Sequence, residues 1–114
     1  MIVITGGSGY IGYYLYEHLK RDHPLILDIV PPKSKEHHWK YCDIRDSLST
    51  YEAIKSADIA YHLAATADFR LASLNYRYLL ETNVLGSINV FRACLKAKIP
   101  VIYTSTQAIH DRPL

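Results

Sequence analysis

The sequence has few cysteines, no long hydrophobic run and little net charge, and each shortage argues against a class of protein. Its two cysteines among 114 residues, Cys42 and Cys94, show no zinc or redox spacing, so we expect a reducing, cytoplasmic setting. The longest apolar stretch, residues 25–32, is too short to cross a bilayer and contains Asp28. The formal charge of +2 and the scattered basic residues do not indicate nucleic-acid binding. Because no basic leader precedes the first apolar run, we expect no signal peptide and a soluble protein.

The six histidines do not form a metal-ligand pattern, and we expect no metal site. A small basic cluster lies after the second apolar run. We interpret it as a solvated loop rather than a binding patch. It consists of Lys33, Lys35, His37, His38 and Lys40.

Apolar residues alternate along the chain between strand-like and helix-like periods. Strands are expected at 2–5, 24–28, 39–42, 57–63 and 100–104, and helices at 10–21, from 46–47 onward, and at 75–98. Strands that alternate with helices form parallel sheets with right-handed crossovers. The sequence therefore predicts an α/β, Rossmann-type sheet of about five strands, in the order 3-2-1-4-5, flanked by helices in one domain over residues 1–114.

A glycine-rich turn follows the first strand and precedes the first helix. It satisfies both G-x-x-G-x-x-G, through Gly6, Gly9 and Gly12, and G-x-G-x-x-G, through Gly7. Glycines here permit a tight turn, close approach of a diphosphate and close packing of the helix on the strand. The N–H groups of the helix start then face the phosphates. In this context the turn predicts a dinucleotide site more strongly than a merely structural loop.

An acidic residue, Asp28, ends the second strand at about the 20-residue offset that a dinucleotide site requires. Its carboxylate could accept hydrogen bonds from the adenosine ribose and would repel a 2′-phosphate. Because no arginine follows it, we expect NAD rather than NADP. The alternative is an ordinary loop aspartate.

Four further segments resemble, in order, the motifs of the extended short-chain dehydrogenase/reductase family, specifically its NAD-dependent sugar-nucleotide epimerases and dehydratases. They are C-D-I-R-D at 42–46, Y-H-L-A-A at 61–65, T-N-V-L-G-S-I-N at 82–89, and the strand-five segment at 101–110. The resemblance spans nearly the whole chain. It implies the cofactor-binding residues Gly6, Gly9, Tyr10, Ile11, Gly12, Asp28, Ile29, Asp43, Ile44, Leu63, Ala64, Ala65 and Asn83. Asp43 would meet the adenine amino group, and Asn83 would support the site near the nicotinamide.

The same resemblance places Thr106 at the position of the family's catalytic serine or threonine, whose hydroxyl hydrogen-bonds the substrate. Two departures from the family pattern occur nearby. Residues 110–111 are His-Asp where Tyr-Gly is usual, and residues 107–108 are Gln-Ala where the dehydratases carry an acidic pair. The first departure indicates an altered loop beyond it, and the second favours epimerisation or reduction over dehydration.

The family's catalytic tyrosine and lysine, four residues apart on the next helix, are not found after Thr106, since residues 107–114 contain neither type. The C-terminal part of the family fold, which holds the nucleotide-sugar substrate, is also missing from this sequence. We therefore expect the dinucleotide-binding portion of an NAD-dependent epimerase or reductase. The alternatives are a non-catalytic NAD-binding or regulatory module and a truncated relic.

The helix predicted at 75–98 has apolar residues over about half its circumference, more than packing on one sheet requires. The resemblance implies that this helix also joins an intersubunit bundle. We expect a homo-oligomer, and a dimer in particular, through this helix.

Overall fold

A computed structural model of the chain describes residues 1–66 and 75–105. Its strands are β1 (Ile2–Thr5), β2 (Leu25–Asp28), β3 (Trp39–Tyr41), β4 (Ile59–His62) and β5 (Val101–Tyr103). Its helices are α1 (Tyr10–Leu19), α2 (Ser47–Ile54), α3 (Tyr76–Leu80) and α4 (Ser87–Ala97). A short 3₁₀ turn, Lys20–Asp22, follows α1, and a π-helical segment, Glu81–Gly86, joins α3 to α4.

The five strands form one parallel sheet in the order β3-β2-β1-β4-β5. In the central pairs, Val3 is aligned with Leu25 on one side and with Ala60 on the other. Parallel pairing places the carboxyl ends of all strands at the same edge of the sheet. The predicted Rossmann-type fold is confirmed, and this edge is where such folds bind ligands.

Side chains that alternate along β1 serve two separate cores, since neighbouring residues of a strand face opposite sides. Val3 belongs to a cluster with Leu27, Val90 and Cys94, which lies between the sheet and helices α2 and α4. Ile4 packs instead with residues of β2 and α1 on the opposite side. Helices therefore cover both faces of the sheet and fix where the connecting loops emerge.

The two helices after β3 and β4 begin at polar caps. The Asp46 side chain accepts a hydrogen bond from the Ser49 N–H, and Asn75 accepts one from the Tyr78 N–H. Both interactions satisfy amides that lack partners within the helix. The helix start predicted at 46–47 is confirmed by this cap.

The helix predicted as regular over 75–98 contains six π-helical residues, 81–86, which the apolar period does not reveal. Wider turns of this kind are rare and occur often at functional sites. Within this segment Gly86 lies against Ile44, where an added Cβ would approach the Ile44 Cδ1 to 2.7 Å. The close contact joins the segment to the loop after β3.

The interpretation of the basic cluster as a solvated loop is wrong for one member, His37. Its ring is 5% exposed and stacks on Tyr16, with 3.9 Å between ring centroids. The Tyr16 hydroxyl accepts a hydrogen bond from the His38 N–H, and Glu17 lies 3.4 Å from His37 Nε2. Aromatic packing from α1 therefore holds this loop. Lys33, Lys35 and His38 are exposed in the loop, and Lys40 is exposed on β3.

Among residues 1–66 and 75–105, none of the helices has the length and apolar character to span a membrane. Over the same residues, no group of three or more potential metal ligands comes together.

Candidate functional site

A cavity of about 640 Å³ opens at the carboxyl edge of the sheet. Its walls come from the β1–α1 turn, from the loops after β2, β3, β4 and β5, and from the start of the helix that follows β4. The lining residues are Gly6, Ser8, Gly9, Tyr10, Ile11, Gly12, Leu27, Asp28, Ile29, Val30, Cys42, Asp43, Ile44, Leu63, Ala64, Ala65, Thr66, Tyr78, Thr82, Thr104 and Ser105. Its size suits a cofactor or small-molecule site.

The first glycine of the turn, Gly6, is required by the backbone. Its φ is +70°, a conformation that costs other residues free energy. An added Cβ would lie 2.6 Å from the Ala64 Cα, and the Gly6 N–H donates to the Leu27 carbonyl at 2.9 Å. Gly6 thus holds the turn tightly between β2 and the segment after β4.

Gly9, the N-cap residue of α1, has a different role. Its φ is −82°, and the nearest atom that an added Cβ would meet is the Gly6 carbonyl oxygen, at an ordinary 3.5 Å. Neither conformation nor packing within the described residues therefore requires glycine here. Because Gly9 offers no capping side chain, no side chain caps the amides of the first helical turn. The space that a Cβ of residue 9 would fill lies beside these uncapped amides. Such a space can accept a diphosphate, which the amides would bind.

The carboxylate of Asp28 lines the cavity beside this turn. One oxygen accepts from the Ile29 and Val30 N–H groups at 2.7 and 3.2 Å, and the other accepts from the Ser8 N–H at 3.1 Å. Ser8 also donates its hydroxyl to the Val30 carbonyl at 2.8 Å. These bonds fix the position of the carboxylate relative to the glycine turn.

The loop after β3 supplies the next wall. The Asp43 carboxylate is paired with the Arg45 guanidinium, whose Nη2 lies 2.7 Å from Asp43 Oδ2. Hydrogen bonding to this guanidinium lowers the pKa of the Asp43 carboxyl. On α4, Asn89 donates to the backbone carbonyls of Ile44 and Arg45 at 2.8 and 3.2 Å. The helix therefore sets the position of this loop.

Asn83 clamps the segment that follows β4. Its Oδ1 accepts from the Thr66 N–H at 2.7 Å, and its Nδ2 donates to the Thr66 carbonyl at 2.9 Å. Both functions of the amide are thus used on backbone, as a partly buried amide requires. Asn83 itself does not line the cavity, whereas Ala64, Ala65 and Thr66 do. In the structure Asn83 therefore holds the backbone of the cavity wall at Thr66.

Beneath the cavity floor, a buried polar network joins β1, β4 and α4. The Thr5 hydroxyl oxygen lies 3.2 Å from the amide nitrogens of Leu63 and Ala64 and accepts from both. Its own hydrogen is then donated to His62 Nδ1, 2.7 Å away. His62 therefore carries its proton on Nε2, which donates to the Ser87 hydroxyl at 2.8 Å. Burial lowers the pKa of His62 to about 4 from its usual 6.5.

This network should make the stability of the fold pH-dependent. As pH falls from 6.5 towards 4, the unfolded chain takes up a proton at His62 that the folded chain does not. The contribution of neutral His62 to the free energy of unfolding should therefore be fully present above pH 6.5. Near pH 4 the free energy of unfolding should be lower by roughly 2–3 kcal/mol. Urea unfolding across this range, compared with His62→Gln, checks it. A variant with the same acid sensitivity as the wild type would show that His62 is not the responsible group.

The end of β5 brings Thr104 and Ser105 to the cavity. The predicted catalytic residue, Thr106, lies outside the described residues. Two Tyr-x-x-x-Lys spacings occur earlier in the chain: Tyr16 on α1 with Lys20 just after that helix, and Tyr51 on α2 with Lys55 just after that helix. Neither pair lines the cavity: Tyr16 is bonded to the His38 amide, and Tyr51 packs under the Lys96 ammonium. These spacings therefore give no acid/base pair at the site.

Comparison with known proteins identifies the family. The sequence model described as "NAD dependent epimerase/dehydratase family" matches residues 2–113. The chain belongs to this family. The resemblance seen in the motifs is thereby confirmed, and NAD is the cofactor of the family as a whole.

Individual relatives in the epimerase/dehydratase family cover most of this chain but are much longer. The chain is 34% identical to a UDP-N-acetyl-alpha-D-glucosaminuronate decarboxylase of Bacillus cytotoxicus, over 96% of this chain and 37% of that protein. It is 32% identical to human short-chain dehydrogenase/reductase family 42E member 1, over 92% of this chain and 29% of that protein. The structure of a UDP-N-acetylglucosamine 4-epimerase from Methanobrevibacter ruminantium, in complex with UDP-N-acetylmuramic acid, superposes with a TM-score of 0.84 at 26% identity. The match covers 99% of this chain and 41% of that one. The chain thus spans well under half the length of these relatives.

The cavity of this family member brings together every predicted cofactor residue except Asn83. Their contacts with a cofactor stay predictions. Sequence reasoning missed the supporting residues Thr5, Ser8 and Asn89. A signal existed for Asn89, the last residue of the segment at 82–89. On the predicted helix Asn89 falls on the polar side, whereas in the structure its side chain donates to the loop after β3.

Proposed function

We propose that this chain binds NAD in the cavity, as the dinucleotide-binding portion of an enzyme that epimerises or reduces a nucleotide sugar. The observation that carries the proposal is Gly9, whose missing side chain leaves room beside the free amides of α1 and serves no need of the fold itself. A diphosphate would be held there by the first-turn amides and the positive end of the helix.

The remaining residues would orient the dinucleotide along the sheet edge. Asp28 would accept hydrogen bonds from the adenosine ribose, with Ile29 beside it, and Asp43 and Ile44 would receive the adenine. The small side chains of the segment after β4 leave room for the rest of the molecule. When bound, the nicotinamide would supply hydride transfer: reversible transfer for epimerisation, or donation from NADH for reduction. In the same proposal, the Thr106 hydroxyl hydrogen-bonds the substrate oxygen.

A nucleotide sugar is the proposed substrate class because relatives with that chemistry match most of this chain. The names of the decarboxylase and of the 4-epimerase refer to UDP-sugars. We further propose a cytoplasmic setting, which is supported by two buried cysteines, both unpaired, Cys42 and Cys94.

Titration calorimetry with NAD and NADP tests the cofactor. We expect NAD to bind at least about tenfold more tightly than NADP, because Asp28 accepts from a ribose hydroxyl and repels a 2′-phosphate. Asp28→Asn should lower NAD affinity about tenfold, since the amide cannot accept from as many donors. It should also reduce the preference for NAD over NADP. Asp22→Asn removes an exposed carboxylate elsewhere and serves as the control. Absence of NAD binding by the folded wild type would overturn the proposal.

A second candidate is a non-catalytic NAD-binding module. The observation that favours it is that both Tyr-x-x-x-Lys spacings lie away from the cavity. Incubation of the chain with NAD and UDP-glucose, followed by NADH absorbance and product analysis, tests the module. Formation of NADH or of a converted sugar nucleotide would contradict it.

We also propose that the chain self-associates, most simply as a dimer, through the helix after β4. A strip of large apolar residues is exposed there, with Leu95 at 80% and Leu85 at 54%. The other members are Leu80, Val84 and Ile88. Exposed apolar strips of this extent are typical of protein contacts.

The double variant Leu85→Glu/Leu95→Glu should convert the oligomer to a monomer, since it places charges within the apolar strip. We expect the association to weaken at least about 100-fold in sedimentation velocity experiments, as two buried leucines contribute about 3 kcal/mol or more. Lys40→Gln, which changes the charge of the exposed strand β3, is the control. A monomeric wild type at micromolar concentration would contradict the proposal.

A further inference from the structure

Three charged or aromatic side chains meet at the adenine end of the cavity, and the proposed NAD site does not account for them. They are Arg45 after β3, Tyr78 on α3 and Glu81 at the start of the π-helical segment. The Arg45 guanidinium lies 5.0 Å from the centre of the Tyr78 ring, and its Nη1 lies 3.5 Å from Glu81 Oε2. Tyr78 also lines the cavity. Arg45 therefore ties the loop after β3 to the helix opposite.

The other side of the same guanidinium holds Asp43. Arg45 Nε lies 3.1 Å from both carboxylate oxygens, and Nη2 lies 2.7 Å from Oδ2. The Arg45 backbone N–H adds a bond to Oδ1 at 3.0 Å. This planar, charge-assisted arrangement leaves the carboxylate little rotational freedom. It also keeps the group ionised, since the pKa of Asp43 is lowered by the guanidinium.

The Asp43 carboxylate keeps about one acceptor position that Arg45 does not use. An ionised carboxylate offers about four acceptor positions. Three N–H groups of Arg45 use most of them: the backbone N–H donates to Oδ1, Nη2 donates to Oδ2, and the single Nε hydrogen is shared between the two oxygens. About one position remains for a donor from elsewhere, and Asp43 lines the cavity. The amino group of adenine is a donor of the required kind.

We propose that Arg45 is a positioning residue that makes the site select adenine. It holds the Asp43 carboxylate in one orientation, so that the remaining acceptor position receives an exocyclic amino group and opposes a carbonyl oxygen at the same place. The inference rests on the proposed NAD function and goes beyond it, because it assigns base selectivity to a side chain that would not touch the base. Tyr78 and Glu81 anchor the far side of the guanidinium.

Calorimetry with NAD and with nicotinamide hypoxanthine dinucleotide tests this role, since the second compound differs by having a carbonyl oxygen where adenine has the amino group. The wild type should prefer NAD at least about tenfold. Arg45→Ala should lose about tenfold in NAD affinity and change hypoxanthine dinucleotide affinity about twofold or less, because the freed carboxylate turns away. The ratio of the two affinities in Arg45→Ala should then approach one. Arg45→Lys, which lacks the planar fork, should give an intermediate preference.

The control is Arg21→Ala, which removes an exposed arginine on the 3₁₀ turn after α1. It should keep the wild-type affinities for both compounds. If Arg45→Ala weakens both dinucleotides equally, Arg45 supports only the loop and the inference fails. If Arg45→Ala binds NAD more tightly, Arg45 competes with adenine and the inference also fails. A wild type that binds neither compound would instead remove the proposed NAD function on which the inference rests. Thermal melts of each variant verify that the protein is folded.

Discussion

Gly9→Ala is expected to leave the fold intact and to reduce NAD affinity about 100-fold. The added methyl group would meet the Gly6 carbonyl oxygen at 3.5 Å, an ordinary contact, at a φ of −82° that alanine adopts freely. The fold therefore has no reason to resist the change. The methyl group would, however, lie where the diphosphate approaches α1. Loss of about two charge-assisted hydrogen bonds amounts to about 3 kcal/mol, which corresponds to about 100-fold.

The measurement pairs calorimetric NAD affinity with urea unfolding, and Gly6→Ala is the matched comparison. At Gly6 the same methyl group would lie 2.6 Å from backbone atoms of Ala64, with φ at +70°. That variant should lose about 3 kcal/mol or more of folding stability, because both strain and a backbone clash oppose it. A Gly9→Ala protein that is destabilised as much as Gly6→Ala would assign Gly9 to the fold. A Gly9→Ala protein that binds NAD as tightly as the wild type would show that the diphosphate does not bind beside Gly9.

The architecture was predictable from the sequence because its signals are local. Alternating apolar periods mark the strands and helices, and parallel sheets with short crossovers allow few topologies. The cavity residues followed from their positions, since the glycine turn, Asp28 and the residues after β3 and β4 all lie at carboxyl ends of neighbouring strands. The strand order brings these ends together whatever the details of packing.

The supporting contacts were not predictable, since they join residues far apart in sequence. Asn89 reaches a loop 44 residues earlier, and His37 is buried by an aromatic residue of α1 rather than by its own loop. The π-helical segment at 81–86 differs from a regular helix in its i→i+5 hydrogen bonds, which the apolar period does not show. The ion pair between Asp43 and Arg45 was not predictable either, because the sequence D-I-R-D does not show that the Arg45 side chain folds back onto the Asp43 carboxylate.

Thr5→Val should cost about 3–4 kcal/mol of folding stability, although the two side chains have nearly the same shape. Thr5 is fully buried, and its hydroxyl is bonded to His62 Nδ1 and to the amides of Leu63 and Ala64. The Leu63 N–H also donates to the Thr5 carbonyl and keeps that partner. The His62 nitrogen and the Ala64 amide would each lose the bond described here, at about 1–3 kcal/mol per buried polar group.

Urea unfolding of Thr5→Val and Thr5→Ser measures this cost. Serine keeps the hydroxyl and loses one methyl group, so it should cost about 1 kcal/mol. The network also fixes the cavity floor, because Leu63 and Ala64 line the cavity directly above Thr5. Thr5→Val should therefore weaken NAD binding as well, by about tenfold, while Thr5→Ser should bind NAD nearly as the wild type does. Equal losses of stability in the two variants would trace the effect of Thr5 to packing. The hydroxyl would then not be what joins the fold to the site.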